Sequence, residues 1–117
     1  MKVDLQKYEL VSKIACGGDL TLIFRHKQDK SGKKILQLDN AVGFFDLITK
    51  KDVVWLRVDE PGGSYTIDLS LRLDRPEIKG FQEIFLFTDS DGVEFCFRAV
   101  AEQVYFRNGT DNDKWLK

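Results

Sequence analysis

Residues 85–97 read FLFTDSDGVEFCF, two apolar runs on either side of a short acidic stretch. Both runs are apolar on the two sides of an extended chain, which is typical of strands covered on both faces of a sheet. A turn between them would join the two strands as an antiparallel hairpin. The stretch therefore predicts a hairpin at the centre of the fold, and the rest of the chain is interpreted around it.

The turn of this hairpin holds three carboxylates, Asp89, Asp91 and Glu94, within six positions. A two-residue turn would place Asp89 opposite Glu94, and like charges facing each other destabilise a strand pair. We therefore expect a four-residue loop over 89–92, with Phe87 opposite Glu94. A calcium site needs about six to eight oxygen ligands, a fuller series than this segment offers. The acids are interpreted as a solvated turn, not as a metal site or a catalytic pair of carboxylates.

Most of the remaining chain also alternates with period two, which predicts half-buried strands. The clearest case is 63–73, GSYTIDLSLRL, in which every second residue from the tyrosine onwards is apolar. Its expected partner is 53–59, joined through EPGG, a sequence that suits a type II turn. In that hairpin Val58 would face Tyr65, and the apolar faces of the two strands would coincide.

A similar test applies near the N-terminus, where 8–16 and 20–26 flank a glycine pair. A two-residue turn would set Lys13 against Leu22, whereas a three-residue loop sets Ile14 against Leu22. We therefore expect the three-residue loop.

The segment 41–50, AVGFFDLITK, is the one helix candidate, with Asn40 in position to cap it. Further strands are expected at 33–39, 83–88, 93–100 and 103–107. About eight or nine strands, one short helix and no βαβ alternation predict a mainly β fold, α+β in class, built as an antiparallel β-sandwich or a partly open β-barrel. A chain of 117 residues is expected to form a single globular domain over 1–117.

The composition indicates the cellular compartment of the protein and the charge of its partner. No apolar run approaches the roughly 18 to 20 residues that cross a bilayer, and the first ten residues lack the apolar segment of a secretory signal. We therefore expect a cytoplasmic protein without a membrane contact. Cys16 and Cys96 lie far apart and fit reduced, buried thiols, although a bridge between them stays open. Residues 1–58 carry 11 Lys and Arg against 7 Asp and Glu, and residues 59–117 carry 7 against 12, which favours electrostatic steering toward a charged partner.

The candidates for catalytic chemistry are few. His26 is the only histidine, and the chain contains no GxSxG, GxxxxGK[ST], GxGxxG or HExxH pattern. We therefore expect no enzymatic activity, no catalytic residues and no cofactor, and His26 is interpreted as a structural or surface residue. The basic segment 25–34 has five fixed cations but no aromatic residue between Phe24 and Phe44 for base stacking, so nucleic acid is not the expected partner.

The predicted hairpin over 53–73 supplies the candidate binding surface. Its outward side would combine one large aromatic residue with charged and hydroxyl side chains, and Trp and Arg are enriched at interface hot spots. The predicted partner-binding residues are Trp55, Arg57, Asp68, Ser70 and Arg72. The alternative is that Trp55 packs beneath the helix or a loop.

These features favour non-catalytic binding to another protein, in the manner of an immunity protein or a phage-type inhibitor. Two other classes stay open. Trp55 could stack on a sugar or another small ligand in a carbohydrate-binding or small-ligand module, or the chain could be a structural protein that assembles as a homo-oligomer.

Overall fold

Seven β-strands, one α-helix and one 3-10 helix make up the computed structural model, which describes residues 1–29, 31–46 and 53–109. In chain order the elements are β1 Lys2–Asp4, β2 Tyr8–Cys16, β3 Asp19–His26, β4 Lys33–Asp46, β5 Trp55–Asp59, α1 Ser64–Arg72, the 3-10 helix Pro76–Gly80, β6 Gln82–Phe87 and β7 Phe95–Asn108. The prediction of a mainly β chain with one short helix is therefore confirmed.

All seven strands belong to one antiparallel sheet, in the order β1-β5-β6-β7-β4-β3-β2, which forms an open half-barrel. Of the two predicted architectures, the partly open barrel is the nearer. The strands described number seven instead of eight or nine: the predicted strands 93–100 and 103–107 are one continuous β7 and 63–73 is a helix, whereas β1 was not predicted. The hairpin of β6 and β7 lies at the centre of the sheet, as its doubly apolar sequence predicts.

The short connection between β1 and β2 requires the sheet to curve. Strands β1 and β2 lie at opposite edges, yet only three residues separate Asp4 from Tyr8. Four residue steps span at most about 14 Å, so the two edges must approach each other at this end. Leu5, within this connection, is fully buried, and its N–H donates to the Val54 carbonyl at 2.8 Å.

The two faces of the sheet carry separate cores. The larger core contains buried residues of β3 to β7, including the fully buried Leu22, Leu36, Leu56, Leu86 and Phe97. The opposite face, which we call the outer face, is covered in part by α1 and the 3-10 helix. There Ile78, Phe81 and Val100 form a second buried cluster, with Val42, Tyr65 and Leu69 packed against it.

The predicted strand at 63–73 is wrong, because Ser64–Arg72 is an α-helix. Strand β5 already pairs with β1 on one side and β6 on the other, so no edge remains for the segment to join. The alternating apolar pattern fits both structures. If every second apolar residue is taken, the spacing becomes four, which is also the spacing along one face of a helix. Tyr65 and Leu69 accordingly share the helix side that packs on the sheet.

The predicted helix at 41–50 is also wrong over 41–46, which belong to strand β4, and the remainder lies outside the described residues. Strand β4 pairs with β7 from Lys34 to Asp46, and this long tertiary pairing overrides the local helical spacing. Asn40 does not cap a helix; it adopts a positive φ of 51° within the strand.

Both predicted hairpin registers are corrected as well. Strands β2 and β3 use a two-residue turn that pairs Cys16 with Asp19 and does place Lys13 opposite Leu22. A bulge between Leu10 and Ser12 makes this register acceptable, because it moves the later apolar residues of β2 to the outer face, where Ile14 packs on Ile23 and Ile35.

In the central hairpin, Phe87 pairs with Phe95 and not with Glu94. The Asp89 carboxylate accepts the backbone N–H groups of Val93 at 3.0 Å and Glu94 at 3.1 Å. The acid therefore organises its own turn, in agreement with the interpretation of this stretch as a turn.

Candidate functional site

The outer face of the central strands carries a group of arginines and aromatic rings. Along β5, Leu56 and Val58 point into the larger core, whereas Trp55 and Arg57 lie half-buried on the outer face. Strand pairing adds neighbours from β6 and β7. We call the resulting group the arginine–aromatic cluster; it consists of Trp55, Arg57, Phe85, Phe87, Phe95 and Arg98.

Phe85 is the centre of this cluster. Its ring stacks on Phe87 at 5.8 Å with an interplanar angle of 17°, and it meets Phe95 edge-on at 5.7 Å. The Cζ atoms of Arg57 and Arg98 lie 4.7 Å and 5.1 Å from its ring centroid. Two guanidinium groups therefore flank one phenylalanine, an arrangement in which each cation is attracted to the ring electrons.

Several N–H donors of the cluster have no hydrogen-bond acceptor among the described residues: Trp55 Nε1, Arg57 Nε and Arg98 Nε. Arg57 Nε is 3.1 Å from Asp59 Oδ1, close enough for an ion pair but without hydrogen-bond alignment. The Lys2 ammonium lies 4.5 Å from the Trp55 ring centroid and occupies one face of the indole. A sugar ring could therefore stack only on the other face.

Arg98 also attaches α1 to the sheet. Its Cζ lies 3.6 Å from the centroid of Tyr65, and its Nη2 is 3.6 Å from Glu83 Oε2. The Glu83 carboxylate is buried, and its Oε1 accepts the Thr66 hydroxyl at 2.9 Å and the Thr66 N–H at 3.3 Å. One buried carboxylate thus holds the first turn of α1, where Gly63 offers no side-chain cap.

Tyr65 yields a testable pH dependence. Burial raises the pKa of its hydroxyl above the ordinary value of 10.0, and the hydroxyl donates a hydrogen bond to the Gly43 carbonyl. Above about pH 10 the unfolded chain releases this proton before the folded chain does, so the free energy of unfolding falls as the pH rises. Tyr65→Phe should cost about 0.5–1.5 kcal/mol at neutral pH and make the alkaline decline shallower, as measured by urea unfolding from pH 8 to pH 11. An equally steep decline in the variant would contradict this role.

The outward side of α1 is the second notable surface. On this side Ile67 and Leu71 are 41% and 70% exposed, and we call these two residues the helix stripe. Asp68 and Arg72, four residues apart on the same helix, form an ion pair of 2.9 Å beside it.

The structure separates the predicted contact residues into two pairs and one buried residue. Trp55 and Arg57 stay together on β5, and Asp68 and Arg72 stay together on α1. The predicted hairpin of 53–59 with 63–73 does not form, so Trp55 and Asp68 do not share one face of a strand pair; Asp68 is helical. Ser70 is only 3% exposed, and its hydroxyl donates to the Ile67 carbonyl at 2.7 Å.

Sequence reasoning did not identify the roles of Phe85 and Arg98. A signal was available, since Arg98 is the one charged residue in the apolar run FCFRAV. A lone arginine in a strand covered on both faces requires ring or carboxylate partners, and here it has both.

The remaining candidates for chemistry have structural surroundings. Cys96 is buried as expected, but Cys16 is exposed at a turn, and both are free thiols. The Nδ1 atom of His26 accepts the backbone N–H groups of Gln28 at 3.2 Å and Asp29 at 3.0 Å. Within the described ranges no three His, Cys, Asp or Glu side chains group as metal ligands. None of the helices described is long and apolar enough to cross a membrane.

Comparison of the chain with models of known protein families, with curated proteins and with solved structures gives no match.

Proposed function

We propose that this chain is a non-catalytic protein of the cytoplasm that binds another protein, in the manner of an immunity protein or a phage-type inhibitor. The observation that carries the proposal is the orientation of α1. This helix buries the side chains of Thr66 and Ser70 and leaves Ile67 and Leu71 exposed, and an exposed apolar patch beside polar residues is characteristic of an interaction surface.

Buried polar contacts fix this orientation. Thr66 is fully buried and Ser70 nearly so, and each hydroxyl has its hydrogen-bond acceptor, Glu83 for one and the Ile67 carbonyl for the other. Ile67 is 41% exposed and Leu71 70%, so a protein partner that covers them would bury apolar surface that folding leaves in water.

The charge distribution supports steered association. Strand β7 has 14 residues and so is about 45 Å long at ~3.3 Å per residue. The turn between β3 and β4, with Lys27, Lys33 and Lys34, lies beside its C-terminal end, while Asp91 and Glu94 precede its N-terminal end. Such local groups of like charge favour the steered approach of a charged partner.

The double variant Ile67→Lys and Leu71→Lys tests the proposed surface. Both residues are exposed, so the folded state should persist, whereas placing two ammonium groups in an apolar interface should weaken partner affinity by at least about 30-fold. The partner is isolated with the unaltered chain by affinity purification and mass spectrometry from the cells that contain it. The purified pair is then measured by calorimetry.

Val93→Lys is the matched control, because Val93 is a single apolar residue, 77% exposed, in the loop between β6 and β7. It should leave the affinity unchanged. Equal affinity of the double variant and the control would place the contact surface elsewhere. Loss of a concentration-dependent homo-oligomer in the double variant would instead favour the structural role.

A further inference from the structure

A pocket lies where the connection between β1 and β2 meets the end of β3. The Lys27 N–H donates to the Lys7 carbonyl at 2.9 Å, and this backbone hydrogen bond ties the connection to the turn that follows β3. The space beside it has a volume of about 280 Å³ and is lined by Gln6, Lys7, His26, Lys27 and Gln28. The fold thus brings together residues from two segments about twenty positions apart in sequence.

The imidazole in this pocket has a fixed orientation. Because His26 Nδ1 accepts two backbone N–H groups, the neutral ring carries its proton on Nε2, which is therefore a donor. The edge-to-face contact of His26 with Tyr8, at 5.2 Å between centroids, further restricts the ring. The neutral imidazole is thus a donor of fixed orientation among the lining residues.

Nearby carboxylates are engaged by neighbours of their own. Asp29 Oδ1 accepts the Ser31 hydroxyl at 2.7 Å and the Ser31 N–H at 3.1 Å, and these bonds hold the pKa of Asp29 below its usual value. Asp4 Oδ1 accepts the Gln6 N–H at 2.9 Å, and Glu9 Oε1 lies 3.2 Å from Arg25 Nη2. None of these acids is among the five described lining residues.

We propose that this pocket, through Lys7 and His26 with the amides of Gln6 and Gln28, binds the phosphate group of a small phosphorylated molecule. A phosphate has several strong acceptor oxygens, which match the lining donors in number and kind. The volume, at the lower end of the range for ligand pockets, fits a phosphate with a small attached group.

The test is a titration of the ¹⁵N-labelled chain, followed by NMR, with inorganic phosphate and with glycerol phosphate at constant ionic strength. We expect saturable shifts of the amides of residues 26–28 with a dissociation constant in the low millimolar range or below. Lys7→Gln keeps the length of the side chain and removes its charge, and it should weaken binding at least tenfold. Tighter binding of glycerol phosphate than of phosphate would identify a phosphate ester as the ligand, and equal binding would identify free phosphate as sufficient.

Lys13→Gln is the matched control, since Lys13 is exposed on β2 away from the pocket, and it should bind as the unaltered chain does. Thermal unfolding of both variants verifies that they fold. Equal dissociation constants for Lys7→Gln and the unaltered chain would overturn the proposal, as would shifts that acetate reproduces at the same concentration. Tighter binding of an oligonucleotide that lacks a terminal phosphate would show that nucleic acid is the ligand instead.

Discussion

Leu5→Ala is expected to lower the free energy of unfolding by about 2–5 kcal/mol, the range for removing a buried leucine side chain. Leu5 is fully buried although it belongs to a three-residue connection, and its backbone N–H is bonded to Val54. The side chain fills the larger core at the place where the two sheet edges approach. A cavity there would be difficult to close, because the short connection limits how far the surrounding backbone can move.

Urea unfolding at equilibrium, followed by tryptophan fluorescence, measures this loss. Leu71→Ala is the matched control, because the same side chain is removed from a position that is 70% exposed, and it should change stability by less than about 0.5 kcal/mol. Similar losses in the two variants would show that Leu5 is not part of the core.

Gly43→Ala is expected to destabilise the chain by a similar amount, about 2–5 kcal/mol, through two causes. Gly43 has a φ of +69°, where a side chain costs about 1–2 kcal/mol. A Cβ atom there would also lie 2.8 Å from the Tyr65 hydroxyl oxygen and collide with the Leu69 side chain. Relief of that overlap requires α1 to move away from the sheet, and overpacking of this kind costs about 1–3 kcal/mol.

Gly17→Ala separates the two causes. Gly17 has a nearly equal φ of +61°, but nothing lies within 4 Å of the position of a Cβ atom. The free energy of unfolding lost in Gly17→Ala should therefore come from backbone strain alone and amount to about 1–2 kcal/mol, as measured by urea unfolding. If Gly43→Ala is no more destabilising than Gly17→Ala, the helix does not press on β4 at this point.

The central hairpin could be predicted because its sequence is apolar on both sides, and few structures other than a covered strand accommodate that pattern. The outer placement of Trp55 and Arg57 followed from the alternation along β5, because the apolar residues Leu56 and Val58 must face the core and the residues between them must face the other way. Helix α1 could not be predicted in the same way. Its apolar residues fit both the period of two in a strand and the spacing of four along one helix face. The choice depends on β1, which pairs with the edge of β5 that the segment would otherwise join.

The candidate site was predictable only in its strand portion. Trp55 and Arg57 were identified because a strand pattern assigned them to a face, whereas Ser70 was assigned to the surface and is buried. The flanking of Phe85 by two arginines depends on registers between three strands, which no local pattern specifies. The exposed helix stripe is a consequence of Thr66 binding Glu83, a contact between residues far apart in the chain.

The place of β7 has a consequence for synthesis on the ribosome. Strand β7 is the last of the seven strands to be made, yet it joins β6 on one side and β4 on the other. Before it emerges, the chain can form only two separate three-stranded pieces, β1-β5-β6 and β4-β3-β2, each with an unpaired inner edge. Those edges would invite association with other chains. The sheet should therefore assemble only after residues 95–108 leave the exit tunnel, and nascent chains arrested before that point should require chaperones to stay monomeric.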